Sequence, residues 1–150
     1  MCGIAGQVRA DAHGTPDVAL LKRMGDRLAH RGPDEEGVIV RGPAGLAIRR
    51  LKIIDLETGR QPMTGEDGTV WVVSNGEIYN YRELAGELRA RGHLLRSRSD
   101  TEVIVHGYED TGVSALADLE GMFAIALWDD RTHTLLLARD RLGIKPLYYA

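Results

Sequence analysis

Cys2 is the only cysteine of the sequence, and it directly follows the initiator methionine. Removal of Met1 would leave a thiol and a free α-amine on the same residue. A thiol is mostly protonated at neutral pH, whereas an α-amine titrates near pH 8 and can accept a proton there. The α-amine could therefore activate the thiol, as in enzymes with an N-terminal threonine nucleophile. The alternative at this stage is that the cysteine is a small buried hydrophobic residue.

A nucleophile that attacks a carbonyl also needs hydrogen-bond donors for the oxyanion that forms. Asn75 and Gly76 could supply a side-chain amide and a backbone N–H, although Asn-Gly by itself favours a plain hairpin turn. Arg50 could hold a carboxylate through two parallel hydrogen bonds, and Asp100 or Glu77 could hold an ammonium group. Together with the nucleophile, these residues would recognise an α-amino acid whose side chain carries a carbonyl.

Other common sites find less support in the sequence. The five histidines are scattered, and we recognise no cysteine or carboxylate at metal-ligand spacing from them, so we expect no metal site. No strand is followed by a P-loop or Rossmann glycine pattern. The serines at 97–99 lack the pattern of a nucleophile elbow. Cys2 is therefore the favoured nucleophile.

Composition narrows the class of protein. The chain has 150 residues, 43% of them hydrophobic, and a net charge of −3, which is typical of one globular domain. A single cysteine allows no internal disulfide, and the start lacks the features of a signal peptide, so we predict a cytoplasmic protein. Neither a long apolar stretch nor a myristoylation signal is present, and no basic stripe stands out. We therefore expect no membrane attachment and no nucleic-acid partner.

Apolar periodicity predicts the elements that position these residues. Strands are expected at 3–8, 38–40, 46–48, 69–74, 122–128 and 134–138. Thr15, Asn80 and Ser99 are predicted N-caps of three helices, of which the first two end near Ala29 and Gly92; Glu102 is the expected capping-box partner of Ser99. Many strands and few helices, without strict alternation, predict an α+β fold with mainly antiparallel sheet.

Turns and the end of the sequence complete this outline. Turns are predicted at His13-Gly14, at 42–45 and at Asn75-Gly76. Residues 147–150 are apolar and are predicted to form a strand. Because no turn or polar tail follows them, we expect residues 1–150 to be the N-terminal portion of a longer domain that lacks its last strands.

Several motifs, in order along nearly the whole chain, resemble one family. They are Met-Cys-Gly-Ile at the start, His30 to Asp34, Arg50 to Asp55, Gln61 to Met63, Asn75 to Asn80, Ser99 to Glu102 and Arg139 to Tyr148. These segments are similar to the class II glutamine amidotransferase domain, and most of all to the one that begins glutamine-hydrolysing asparagine synthetases.

The resemblance implies a fold and a reaction. The fold would be the four-layer αββα sandwich of the N-terminal nucleophile hydrolases. Cys2 would attack the side-chain amide of glutamine, release ammonia and leave a γ-glutamyl thioester that water hydrolyses. Asn75 and Gly76 would form the oxyanion hole. The residues implied to bind glutamine are Arg50, Leu51, Lys52, Ile53, Ile54, Asn75, Gly76, Glu77 and Asp100.

The resemblance also implies partners. The domain itself would need no cofactor and no metal, while ATP and Mg²⁺ would serve a synthetase domain, C-terminal or separate, that receives the ammonia. A homodimer is compatible with the family. The Ser-Gly-Gly-x-Asp-Ser pyrophosphate loop of the synthetase domain does not occur in this sequence.

Two departures from the family leave alternatives open. Ile48 and Lys52 stand where close relatives often have histidine and serine. The first alternative is a non-catalytic regulatory or docking module. The second is an amidotransferase domain that serves a sugar phosphate or phosphoribosyl acceptor.

Overall fold

Two antiparallel sheets form the centre of the computed structural model, which describes residues 1–11 and 14–150. The first sheet has the order β1-β3-β2 and contains β1 (Gly3–Val8), β2 (Glu35–Arg41) and β3 (Ala44–Arg50). The second has the order β4-β5-β6-β7 and contains β4 (Met63–Thr64), β5 (Val70–Ile78), β6 (Gly121–Asp129) and β7 (Thr134–Arg139). Six of the predicted strands are present, and β4 is an addition.

Side-chain alternation along the strands builds two cores. Leu46 and Ile48 of β3 meet Val73 and Trp128 of the second sheet in the core between the sheets. The opposite face of the second sheet packs in a second core with the helices α2 (Tyr81–Ala90) and α3 (Glu102–Thr111). Helix α1 (Val18–Arg27) covers the first sheet, and a 3₁₀ helix (Gly112–Asp118) follows α3. The predicted αββα layering is confirmed.

The first helix begins later than predicted. Its N-cap is Asp17, whose Oδ1 accepts a hydrogen bond from the Ala19 N–H at 2.8 Å, and not Thr15. A carboxylate satisfies the free N–H groups of a first turn as well as a hydroxyl does, so both residues were suitable caps by type. The predicted turn at His13-Gly14 lies partly outside the described residues.

The other two caps also differ from the predicted pattern. Asn80 occupies the N-cap position of α2, but its side chain bonds the Asp118 carbonyl and the Glu120 N–H instead of the helix. Helix α3 has Thr101 as its N-cap, so the prediction that Ser99 caps it is wrong. Glu102 does not complete a capping box, because its carboxylate accepts from the backbone of residues 96 and 97.

The predicted turn at Asn75-Gly76 is wrong, since both residues lie within β5 and pair with Ala124 and Phe123 of β6. The predicted strand at 147–150 is also absent. These residues pair with no strand in the described part of the chain, and strand propensity alone gives no ladder without a neighbouring strand. None of the described helices is long and apolar enough to cross a membrane.

Candidate active site

One open cleft, of about 490 Å³, brings most of the predicted site residues together. It is lined by Met1, Cys2, Arg50, Leu51, Ile53, Ile54, Gln61, Ser74, Asn75, Gly76, Glu77, Ser99, Asp100, Met122 and Lys145. Of the residues implied by the family resemblance, Lys52 is the one that does not line this cleft.

Cys2 is placed by β1, which begins at the next residue. Its Sγ lies 3.8 Å from the Leu51 carbonyl oxygen, and its own carbonyl accepts a hydrogen bond from Arg31 Nε at 3.1 Å. The side chain is half-buried beside the core between the sheets. Met1 covers this end of the cleft, where its sulfur lies 3.0 Å from Lys145 Nζ. Cys2 is therefore fixed through its backbone, while its side chain borders the cleft.

The edge of β5 gives the cleft an unpaired donor. Strand β4 covers this edge only as far as Val72. Beyond that point the Ser74 N–H donates to Gln61 Oε1 at 2.7 Å, and the Ile78 N–H donates to Asp100 Oδ2 at 2.9 Å. Because alternate residues of a strand point their N–H groups to the same edge, the Gly76 N–H faces the cleft between these two. No strand in the described part of the chain pairs with it there.

Asn75 points to the other side of the sheet from its neighbours in β5, towards the core that Cys2 borders. Its side-chain Oδ1 is buried and accepts no hydrogen bond from the described residues. Residues 75 and 76 line the same cleft as Cys2, so the Asn75 side-chain amide and the Gly76 N–H are two candidate donors there.

Arg50 is buried and organises one wall of the cleft. Its guanidinium donates to Glu35 Oε2 at 2.9 Å and to the carbonyls of Ile54 and Asp55 at 2.9 and 2.8 Å. Burial alone would raise the pKa of Glu35, but hydrogen bonds from Arg50 and Lys52 outweigh it and lower that pKa. Lys52 is drawn away from the cleft because its Nζ pairs with Glu35 Oε1 at 3.1 Å.

Asp100 supplies a buried negative charge at the opposite side. The residue is only 6% exposed. Burial raises the pKa of its carboxyl, the Ile78 N–H opposes this shift, and the Glu77 carboxylate adds to it. No lysine or arginine of the described residues forms an ion pair with Asp100, so a cation entering the cleft would stabilise its charged form.

Sequence reasoning gave no role to three residues that shape this site. Gln61 holds the edge of β5 and donates from Nε2 to Thr101 Oγ1 at 3.0 Å. Lys145 is buried against the cleft, and Arg31 anchors the backbone of Cys2. All three lie in the motifs that carried the family resemblance, which was the signal available for them.

Comparison with known proteins agrees with this geometry. The family described as "Glutamine amidotransferase domain" matches residues 1–150. "Asparagine synthetase [glutamine-hydrolyzing] 2" of Bacillus subtilis is 46% identical over 99% of this chain, and the chain covers 20% of that protein. The asparagine synthetase of Sandersonia aurantiaca is 42% identical over 99% of this chain, which covers 28% of it. The chain thus spans about a fifth to a quarter of these relatives.

A solved structure supports the fold independently of close sequence similarity. The glutamine phosphoribosylpyrophosphate amidotransferase of B. subtilis superposes with a TM-score of 0.67 at 20% identity, covering 97% of this chain and 38% of that one. The two-sheet α+β architecture is therefore shared. With the family match over its full length, the chain belongs to the glutamine amidotransferase domain family.

Proposed function

We propose that this domain hydrolyses the side-chain amide of glutamine, with Cys2 as the nucleophile after Met1 has been removed. The observation that carries this proposal is one cleft lined by Cys2, Asn75 and Gly76, in which the Gly76 N–H has no strand partner among the described residues. A buried or unpaired donor is costly unless a ligand satisfies it.

The proposed reaction proceeds through a thioester. The Cys2 α-amine takes the thiol proton, directly or through a water molecule, and the thiolate attacks the amide carbon. Asn75 Nδ2 and the Gly76 N–H stabilise the oxyanion. The tetrahedral intermediate collapses as the amine returns its proton to the leaving nitrogen, which departs as ammonia. Water then hydrolyses the γ-glutamyl thioester, releasing glutamate and restoring the thiol.

Charges at the two sides of the cleft would fix the rest of the substrate. Asp100, aided by Glu77, would bind the α-ammonium group of glutamine, because it is a buried carboxylate without a cationic partner. Arg50 would bind the α-carboxylate. Its bonds to Glu35 and the 54–55 backbone use three of its five N–H groups, so two donors are left for a ligand.

We further propose that the ammonia serves ATP-dependent asparagine synthesis in the cytoplasm. The names of two relatives, both glutamine-hydrolysing asparagine synthetases of Bacillus subtilis, support this acceptor. A synthetase domain, joined to the C-terminal side of this one or separate, would receive the ammonia and use ATP and Mg²⁺. The glutaminase step itself would need no cofactor. Residues 1–150 would then form the N-terminal portion of the whole enzyme.

The test uses the full-length protein. Cys2→Ala should abolish glutamate release from glutamine, while synthesis of asparagine from added ammonia should persist. A parent protein with an uncleaved N-terminal extension should behave in the same way, because its cysteine lacks a free α-amine. Full glutaminase activity in the extended protein would refute the self-base mechanism.

The oxyanion hole is tested by Asn75→Ala, for which we expect kcat to fall about 10² to 10³-fold. Asn80→Ala is the matched control, since that amide bonds to residues 118 and 120 outside the cleft. A diazo ketone analogue of glutamine should alkylate Cys2, as detected by mass spectrometry. Absence of this adduct would favour the alternative of a non-catalytic module.

A further inference from the structure

Two histidines and two glutamates converge at a place that the proposed reaction does not use. Ligand atoms of Glu66, His93, His106 and Glu109 all lie within 4.8 Å of one another. The two oxygens of Glu66 lie 3.1 Å from His93 Nδ1 and 3.0 Å from His106 Nδ1. Glu109 Oε2 lies 3.2 Å from the same nitrogen of His106. Bonds of about 2.0 to 2.2 Å in a tetrahedral zinc site put donor atoms roughly 3.3 Å apart, which is close to these separations.

The second nitrogen of each histidine faces another carboxylate. His106 Nε2 lies 3.6 Å from Glu102 Oε1, and His93 Nε2 lies 4.0 Å from Asp110 Oδ1. Histidines that bind metals usually give their other N–H to a carboxylate, which fixes the tautomer and the ring orientation. Both rings therefore turn Nδ1 towards the centre of the cluster and Nε2 towards an outer acid.

The cluster also contains buried polar atoms that lack partners. The side chain of Glu109 is 10% exposed, and its Oε2 accepts no hydrogen bond. His106 is 1% exposed, and its Nε2 makes no hydrogen bond of good geometry. The nearby cations are engaged elsewhere, since Arg91 pairs with Asp110 and Arg131 with Asp129. Apart from its 3.2 Å contact with His106 Nδ1, the Glu109 carboxylate oxygen has no hydrogen-bond donor among the described residues, and a buried oxygen of this kind is stabilised by a bound cation.

We propose that Glu66, His93, His106 and Glu109 bind one divalent cation of the zinc class. Two imidazoles and two carboxylates form a ligand set that suits zinc better than Mg²⁺, which prefers oxygen ligands and retains water. A shallow cavity of about 580 Å³ borders Glu66, His93 and Glu109 and gives an ion access.

The cation would join three separate segments. Glu66 lies between β4 and β5, His93 follows α2, and His106 and Glu109 lie on α3. The segment between α2 and α3 also carries Asp100 into the active-site cleft. The site is thus structural, and it would hold the wall that is proposed to bind the substrate ammonium group.

The absence of a metal site was predicted because no carboxylate was recognised at ligand spacing from a histidine, and that reason is wrong. Glu102 and Glu109 stand four and three residues from His106, which places all three side chains on one face of a helix. The remaining ligands, Glu66 and His93, come from other segments, so their proximity depends on the tertiary fold.

Zinc binding is measured on the full-length protein with Cys2→Ser, because a thiol is itself a zinc ligand. This background also makes the result independent of whether the glutaminase proposal holds. After treatment with a chelator and desalting, the protein is titrated with ZnCl₂ by calorimetry, and bound metal is counted by mass spectrometry. Two further proteins are made in the Cys2→Ser background. One carries both His93→Gln and Glu109→Gln, and the other, as a control, carries His133→Asn, which removes an exposed histidine.

We expect the background and the His133→Asn protein to bind one zinc ion more than the His93→Gln, Glu109→Gln protein, or to bind it at least tenfold more tightly. MgCl₂ should not compete. Equal stoichiometry and affinity in all three proteins would overturn the proposal. If the double variant fails to fold, Co²⁺ is added instead to the Cys2→Ser protein, which keeps all four ligands. A visible absorption band typical of tetrahedral Co²⁺, abolished by added zinc, would support the site. Absence of this band would overturn the proposal.

Discussion

Replacing Gly76 by alanine tests whether the donor strand of the active site depends on close packing. A Cβ at this position would lie 2.0 Å from the Met122 carbonyl oxygen and 2.6 Å from the Phe123 Cα. Both atoms are backbone of β6, so no side-chain rotation can relieve the overlap. Ordinary contact begins near 3.4 Å, so the two strands would have to separate locally by about 1.4 Å.

The expected cost follows from this overlap. Inserting a methyl group into a well-packed region costs about 1 to 3 kcal/mol, and a rigid backbone neighbour puts Gly76→Ala at the upper end of that range. Weakened ladder bonds at Asn75 and Glu77 would add to it. For a domain of this size, 3 kcal/mol corresponds to a fall in Tm of about 6 to 12 °C. Glutaminase activity should fall as well, because the Gly76 N–H moves with the strand.

The assay compares Gly76→Ala with Gly86→Ala in the full-length protein. Gly86 is exposed in α2 and has no atom within 4 Å of an added Cβ, so the control should be stabilised by about 0.5 to 1 kcal/mol. Thermal unfolding gives Tm, and hydrogen exchange of peptides from β5 shows whether the loss is local. Parent-like Tm and exchange in Gly76→Ala would refute the argument from close packing.

Three further changes probe the walls of the cleft. Asp100→Asn can still accept the bond from the strand edge but loses a buried charge, so the KM for glutamine should rise at least tenfold while Tm at pH 7 does not fall. Burial opposes ionisation of Asp55, yet hydrogen bonds from the backbone of Thr58 and Arg98 lower the pKa of Asp55 to about 2. Its stabilisation is present above the unfolded value of about 3.9 and is lost as pH falls, so the difference in Tm between parent and Asp55→Asn should shrink from pH 5 towards pH 3. Gln61→Ala leaves a strand N–H unpaired and should lower the free energy of unfolding by about 1 to 3 kcal/mol, measured by urea denaturation.

The sequence predicted the layers of the fold well because they follow from local patterns. Runs of apolar and β-branched residues located most of the seven strands, and antiparallel pairing then required only short connections. Strand β4 was missed because two residues, Met63 and Thr64, carry too little periodicity to be recognised. Its existence depends on pairing with β5, which no local signal in the sequence reports.

The candidate site was predicted less completely than the fold, because some of its contacts join residues that are distant in sequence. Residue types suggested a nucleophile, an oxyanion hole and charges for an amino acid, and the residues proposed for these roles all line the cleft. The predicted turn at Asn75-Gly76 was wrong because the sequence does not distinguish a glycine that allows close strand packing from a glycine in a turn. Lys52 was misplaced because its partner, Glu35, is distant in sequence.

The shortness of β4 connects the fold to the proposed chemistry. An inner strand normally has both edges paired, and β5 would be such a strand if β4 continued beside it. Because β4 stops opposite Val72, the N–H groups of Ser74, Gly76 and Ile78 are left without strand partners. Gln61 and Asp100 fill the two outer positions and leave the middle one open. The proposed oxyanion donor is therefore a backbone N–H without a strand partner, held in place because Gln61 and Asp100 bond the N–H groups on either side of it.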